Sequence, residues 1–332
     1  MTFDLLMERG MAHMDQKYND SNEDCRFPLF HNLEPMSYIN MVLIHMTMAI
    51  AIIFITLGLF YRFSTFIYMV CYWYIFLLDK SKWNNHSYLF GLFSIIFFYA
   101  DANNYCSLDG LIFKGKKIKN KHVPNIQYII PRLQIFLLYF YAALKKTDSD
   151  WLAGYSMGNL GKSKQFDPLR WMGLSNDTIN LYFVHIAGFM IDLLSPFLLL
   201  SDKTRKIGFV VMISFHGMNS QLFNIGMFPY TCLATMFIFN HNDCFRKFLG
   251  DRSECIKNEK WCVYDEDEKS KNDENKKEKS DSKKVKDSAP GLKHNIYLFI
   301  GLFYMAIQLF LPYRVVLGSC PFVWKPQLSL RF

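Results

Sequence analysis

The feature that most constrains this chain is a series of long apolar runs almost free of charge. Residues 38–61 contain no charged side chain and one histidine, His45. Further runs follow at 63–78, 87–105, 129–144, 181–200, 207–239 and 295–311. A helix needs roughly 20 apolar residues to cross the hydrocarbon core of a bilayer. The run 207–239 is too long for one crossing, and Gly226 with Pro229 offers a break, so it reads as two helices. The pattern predicts an all-α fold, a polytopic transmembrane helical bundle of about eight crossings. Composition agrees: 51% of residues are hydrophobic and 17% aromatic, and only 20% are charged, against about 25% in soluble chains. Such apolar content excludes a disordered chain. With 8 Cys in 332 residues, a small disulfide-stapled domain is excluded too.

One segment is of another kind. Between 265 and 288 nearly every residue is Lys, Glu, Asp, Asn or Ser. It cannot bury enough apolar surface to offset its ordering entropy, so 252–293 is expected to be a disordered charged linker. The expected organisation is an N-terminal segment 1–37, a catalytic-type transmembrane body 38–251, the linker 252–293, a last crossing 294–312 and a short tail 313–332. Residues 1–37 show no basic stretch leading into an apolar run, so the first crossing is expected to act as the insertion signal.

Basic residues orient the bundle. With Lys145 and Lys146 set aside as helix-end residues, one face carries nine: Arg62, Lys114, Lys116, Lys117, Lys119, Lys121, Lys203, Arg205 and Lys206. The opposite face carries five: Lys80, Lys82, Lys162, Lys164 and Arg170. The excess marks the first face as cytoplasmic. It also explains the net charge of +8 without a nucleic-acid partner. The N-terminal segment, the loops around 80–86 and 145–175, and the C-terminal tail then fall on the luminal side. So do the glycosylation sequons at Asn19 and Asn176.

Two polar groups stand at membrane ends on that luminal face. One runs from Asp79 through Asn84, Asn85 and His86, the other from Lys145 and Lys146 through Asp148 to Trp151. The bland explanation of the lysine pair is two snorkelling anchors before a belt tryptophan. The functional one is a desolvated amine, since burial penalises the ammonium form and leaves a neutral lysine to act as a base. His86 reads as a helix-cap residue or, with Asn84 and Asn85, as a group stabilising a developing oxyanion. His216 and Asn219 share a helical face at membrane depth. They and Asp192 fit interhelical hydrogen bonding or a polar cavity. No P-loop, GxGxxG, HExxH or C-x₂-C pair occurs, so neither a nucleotide nor a metal is expected.

Several segments resemble the vitamin K-dependent gamma-glutamyl carboxylase family. They include Cys25-Arg26-Phe27-Pro28-Leu29, Tyr72-Trp73-Tyr74-Ile75-Phe76-Leu77-Leu78-Asp79-Lys80 and Trp83-Asn84-Asn85-His86-Ser87-Tyr88-Leu89. Others are Lys145-Lys146-Thr147-Asp148, Gly154-Tyr155-Ser156-Met157 and Phe215-His216-Gly217-Met218-Asn219-Ser220-Gln221-Leu222-Phe223. The resemblance runs from about residue 8 to Tyr313, the charged linker excepted. It implies a multi-pass enzyme of the endoplasmic reticulum membrane. The family oxygenates vitamin K hydroquinone to its epoxide with O₂ and couples this to CO₂ addition at Glu of secreted proteins.

On this resemblance the base falls on Lys146 and the histidine of the strong-base step on His86. The residues expected to hold the cofactor are Asn85, Lys145, His216, Asn219 and Phe228. The expected partners are Glu-containing secreted proteins, the lipid membrane and a vitamin K epoxide reductase. After Tyr313 the pattern departs from the family's large luminal domain, so a form without most of that domain is expected. Cys25 is then left unpaired or joined to Cys320. The alternative reading is an inactive quinone- or partner-binding membrane pseudoenzyme. A transporter, suggested by the polar groups at depth, lacks the paired interrupted helices such proteins use.

Overall fold

The computed structural model describes residue 18 and residues 27–80, 83–104, 107–112, 125–223, 225–240 and 292–310. Residues 252–291 of the charged linker, both expected partners of the Cys25–Cys320 pairing, the Asn19 sequon and the tail after 310 lie outside the described residues, while Leu292 and Lys293 are helical. Among the described residues the structure is all-helical, without strands.

Eight helices carry the apolar runs. They are α1 (Tyr38–Leu57), α2 (Tyr61–Leu78), α3 (Asn85–Tyr99), α4 (Ile126–Lys145), α5 (Asn176–Leu200), α6 (Arg205–Leu222), α7 (Phe228–Phe239) and α8 (Leu292–Phe310). Three of them, α1, α4 and α5, are long and apolar enough by themselves to cross a membrane, while α7 and the apolar part of α8 are shorter. The break expected near Gly226 and Pro229 is found: α6 ends at Leu222, Gly226 takes a φ of 54°, and Pro229 enters the first turn of α7. Proline suits that position because its missing N–H has no helical partner there.

Local chemistry sets the other boundaries. α1 stops at Gly58, whose φ of 63° closes the turn, its N–H donating to Ile55 O at 3.1 Å. The start of α2 is held from a distance by Asp109, which accepts from the N–H groups of Phe60 at 2.7 Å and Tyr61 at 3.1 Å. At the start of α3 the cap is Asn84, whose side chain accepts from Ser87 N at 2.7 Å.

The helices pack as two connected sets: α1 lies on α2 and α2 on α3, while α5 packs on both α4 and α6. α4 joins them, meeting α3, α5, the end of α7 and α8. One core runs through all eight, from Met48 and Tyr68 through Phe90, Ile135 and Tyr139 to Leu199, Met212, Phe239 and Met305. Outside it lies an apolar surface. On α1 the exposed residues Ile39, Leu43, Met46, Ile50, Ile53 and Leu57 form one stripe opposite buried Met41, His45 and Met48. A helix hydrophobic on both its inner and outer faces belongs in lipid.

Candidate functional site

Lys146 caps α4, its backbone N–H donating to Ala143 O at 2.9 Å. Its side chain turns into the bundle, only 18% exposed. The ammonium donates to Asp192 Oδ2 at 2.7 Å and to Gly188 O at 3.1 Å. Residues 188 and 192 are one turn apart, so a single face of α5 supplies both acceptors. Two rings complete the surroundings, with Trp151 4.9 Å and Phe215 5.8 Å from Nζ. Asp192 is 6% exposed. A charge pair this deep holds only because each partner satisfies the other. Lys145 points the opposite way: it is 61% exposed and lies 3.7 Å from Asp148.

Two turns before Lys146 on the same helix, Tyr139 reaches His216 of α6, with its hydroxyl 2.8 Å from Nε2. His216 is 1% exposed. Its ring lies 5.3 Å from that of Phe215 and 6.2 Å from that of Phe228 at the start of α7. Phe228 in turn sits 5.8 Å from the ring of His86 at the start of α3. A continuous line results, from Asp192 and Lys146 through Phe215, His216 and Phe228 to His86. Thus the structure gathers Lys146, His216, Phe228 and His86. It leaves Asn85 exposed and Asn219 half-buried one turn beyond His216.

The loop between α4 and α5 is built to hold Trp151 over the lysine. The indole N–H donates to His185 O at 3.2 Å. His185 itself bridges two carbonyls, Asn180 O and Ser156 O, each at 2.7 Å. It stands in a π-helical stretch, Asn180–Ile186, a distortion that often marks functional helices. Asn180 steadies the loop by accepting from Gly161 N at 2.7 Å, and Arg170 donates to Gly161 O and Ser163 O.

Chemically, the arrangement offers an amine paired with a carboxylate, an imidazole backed by a phenol, and aromatic walls between them. Flat apolar rings suit such walls, and the buried His216 Nδ1, without a hydrogen-bond partner among the described residues, suits an oxygen on such a ring. Both features fit a quinone-type cofactor. Among the described residues no group of three or more His, Cys, Asp or Glu side chains is placed to hold a metal.

Tyr139 was not among the residues read from the sequence; Phe215 entered only within a resembling segment, Trp151 as the belt residue behind the lysine pair and Asp192 as a polar group at depth, none of them as a neighbour of Lys146. Asp192 stood out as an acid at membrane depth, but its partner lies 46 residues away. Tyr139 and Phe215 carried no signal of their own in a chain so rich in aromatics.

The fold and this site define a helical membrane protein with a polar centre at one end of its bundle. Residues 1–244, nearly three quarters of the chain, match the HTTM domain. The chain belongs to the HTTM-domain family, a domain characteristic of vitamin K-dependent gamma-glutamyl carboxylase and related proteins. No solved structure matches it.

Proposed function

We propose that this chain is a multi-pass protein of the endoplasmic reticulum membrane, crossing it about eight times. We propose further that it couples oxygenation of vitamin K hydroquinone to carboxylation of Glu in secreted proteins. The observation that carries this reading is Lys146, buried against Asp192 and walled by Trp151 and Phe215. Bound there, the hydroquinone supplies the electrons for O₂ and the strong base that Glu deprotonation demands. Lys146, when unprotonated, receives a phenolic proton. Asp192 then faces the ammonium that results, as the third group of a catalytic triad faces its charged base. Phe215 and Phe228 keep water from the reacting groups, and His86 stands at the far end of the same wall. Glu-bearing secreted proteins are the partners, with a vitamin K epoxide reductase returning the cofactor to its reduced form.

A second reading, a quinone- or partner-binding protein without turnover, is favoured by one observation. The Lys146 amine already donates to two acceptors, the arrangement of an ammonium rather than of a free base. Microsomes expressing the chain decide between them. They are given vitamin K hydroquinone and a Glu-containing peptide, and both epoxide and fixed CO₂ are followed. The enzyme reading expects epoxide that is lost in Lys146→Ala. Quinone binding without either product establishes the second reading.

A further inference from the structure

His216 is buried in the wall of the site, and its Nδ1 has no hydrogen-bond partner among the described residues. Its other nitrogen is engaged, with Nε2 2.8 Å from the Tyr139 hydroxyl. Buried polar atoms are nearly always satisfied, so an orphaned one facing aromatic rings marks the place of a ligand group.

Which group depends on where the imidazole hydrogen sits, and Tyr139 decides that. A phenol has one hydrogen to donate. The other group within hydrogen-bond reach of the Tyr139 hydroxyl is the buried Cys232 thiol, with the Asp192 carboxylate acting on it only as a charge, and sulfur is a weak acceptor. An imidazole nitrogen is much the stronger. The tyrosine therefore donates to Nε2, and the ring hydrogen goes to Nδ1. We propose that Tyr139 fixes His216 as an Nδ1–H donor to a ring oxygen of the bound cofactor, a planar quinone-type ring, reduced or oxidised, lying against Phe215 and Phe228. Tyr139 is on this account a positioning residue that acts through His216, as a second hydrogen bond orients a metal-ligating or catalytic histidine. The proposal rests on the site described above and adds to it the identity of the recognised group.

The test measures binding rather than turnover. The full chain in lipid nanodiscs is titrated with menadione, an oxidised quinone, and with methylnaphthalene, the same ring system without its oxygens. Tyr139→Phe is expected to weaken menadione binding about tenfold, one hydrogen bond's worth, and to leave methylnaphthalene binding within about twofold. His216→Asn places an amide N–H near the position of Nδ1, so it should retain most of the menadione affinity. In that background Tyr139→Phe should have little further effect, a coupling that a purely structural tyrosine does not produce.

Nitrogen-15 spectra of histidine-labelled chain should show the His216 hydrogen on Nδ1. A hydrogen on Nε2, an equal loss for both probes, or no binding of menadione to the unsubstituted chain each overturns the proposal. The two readings fail separately. Tyrosine-dependent binding without epoxide formation sinks only the enzyme reading, and epoxide formation with tyrosine-independent binding sinks only this one.

Discussion

A helix turns about 100° per residue, so two adjacent lysines in its last turn cannot both face the bundle. The rotation of α4 is set by its packing on α5, and it sends Lys146 inward to Asp192 and Lys145 outward. Pattern alone singles out the pair without ranking its members. The structure ranks them by burial, which gives a clean comparison. Lys146→Ala should lower epoxide formation by more than about 100-fold, within the range for loss of a proton-transfer group. Lys145→Ala should change it less than about threefold. Asp192→Asn keeps the shape and removes the charge that faces the ammonium. It should lower kcat about 10-fold or more while KM stays within about twofold, and a change confined to KM would return Asp192 to a packing role. Stability gives an independent check. Removing either partner strands the other, a loss of about 3 kcal/mol when the survivor stays charged and buried. A Lys146→Met, Asp192→Leu double variant should recover the thermal midpoint while remaining inactive.

At the scale of the element, the most legible features were those written in local chemistry. The division of 207–239 into α6 and α7 follows from Gly226 and Pro229, and each of the seven apolar runs has a helix at its centre, with two in the divided run. Features that depend on distant partners were not legible. Asp109 holds the start of α2 across 48 residues, and the tie between Arg62, Asp101 and Tyr297 brings α8 to the ends of α2 and α3. Sequence shows Asp101 only as a polar group at a helix end. The same distinction applies to glycines. Gly58 needs a left-handed φ, and a Cβ there would lie 2.5 Å from Ser107 Cβ. Gly217 lies within α6, where a Cβ would meet nothing within 4 Å. Gly58→Ala should therefore lower the thermal midpoint of the purified chain, since the left-handed conformation alone costs about 1 kcal/mol or more. Gly217→Ala should leave it unchanged or raise it slightly, because alanine is the better helix residue by about 1 kcal/mol. Equal melting of the two variants would mean that the turn at Gly58 does not constrain the α1–α2 pair.

For the whole molecule, the position of the site matters as much as its contents. His86 begins α3, Lys146 ends α4, His216 lies in the last two turns of α6 and Phe228 begins α7. Alternating helices therefore bring four chain segments to one end of the bundle, the end that also carries the loop 146–175. The opposite end holds the Arg62–Asp101 tie and the turn between α5 and α6. The unequal distribution of lysine and arginine predicts that the opposite end is cytoplasmic, and the proposed carboxylation requires the site to lie on the other side, where secreted proteins pass. Tyr155, 81% exposed, and Lys203, also exposed, report the two ends. In sealed microsomes a membrane-impermeant maleimide should label Lys203→Cys at once and Tyr155→Cys only after the membrane is opened, each counted over the unsubstituted chain. The reverse result would place Lys146 and His86 on the cytoplasmic side, beyond the reach of any secreted Glu substrate. The carboxylation reading would then fall, even with the geometry of the lysine–aspartate pair intact.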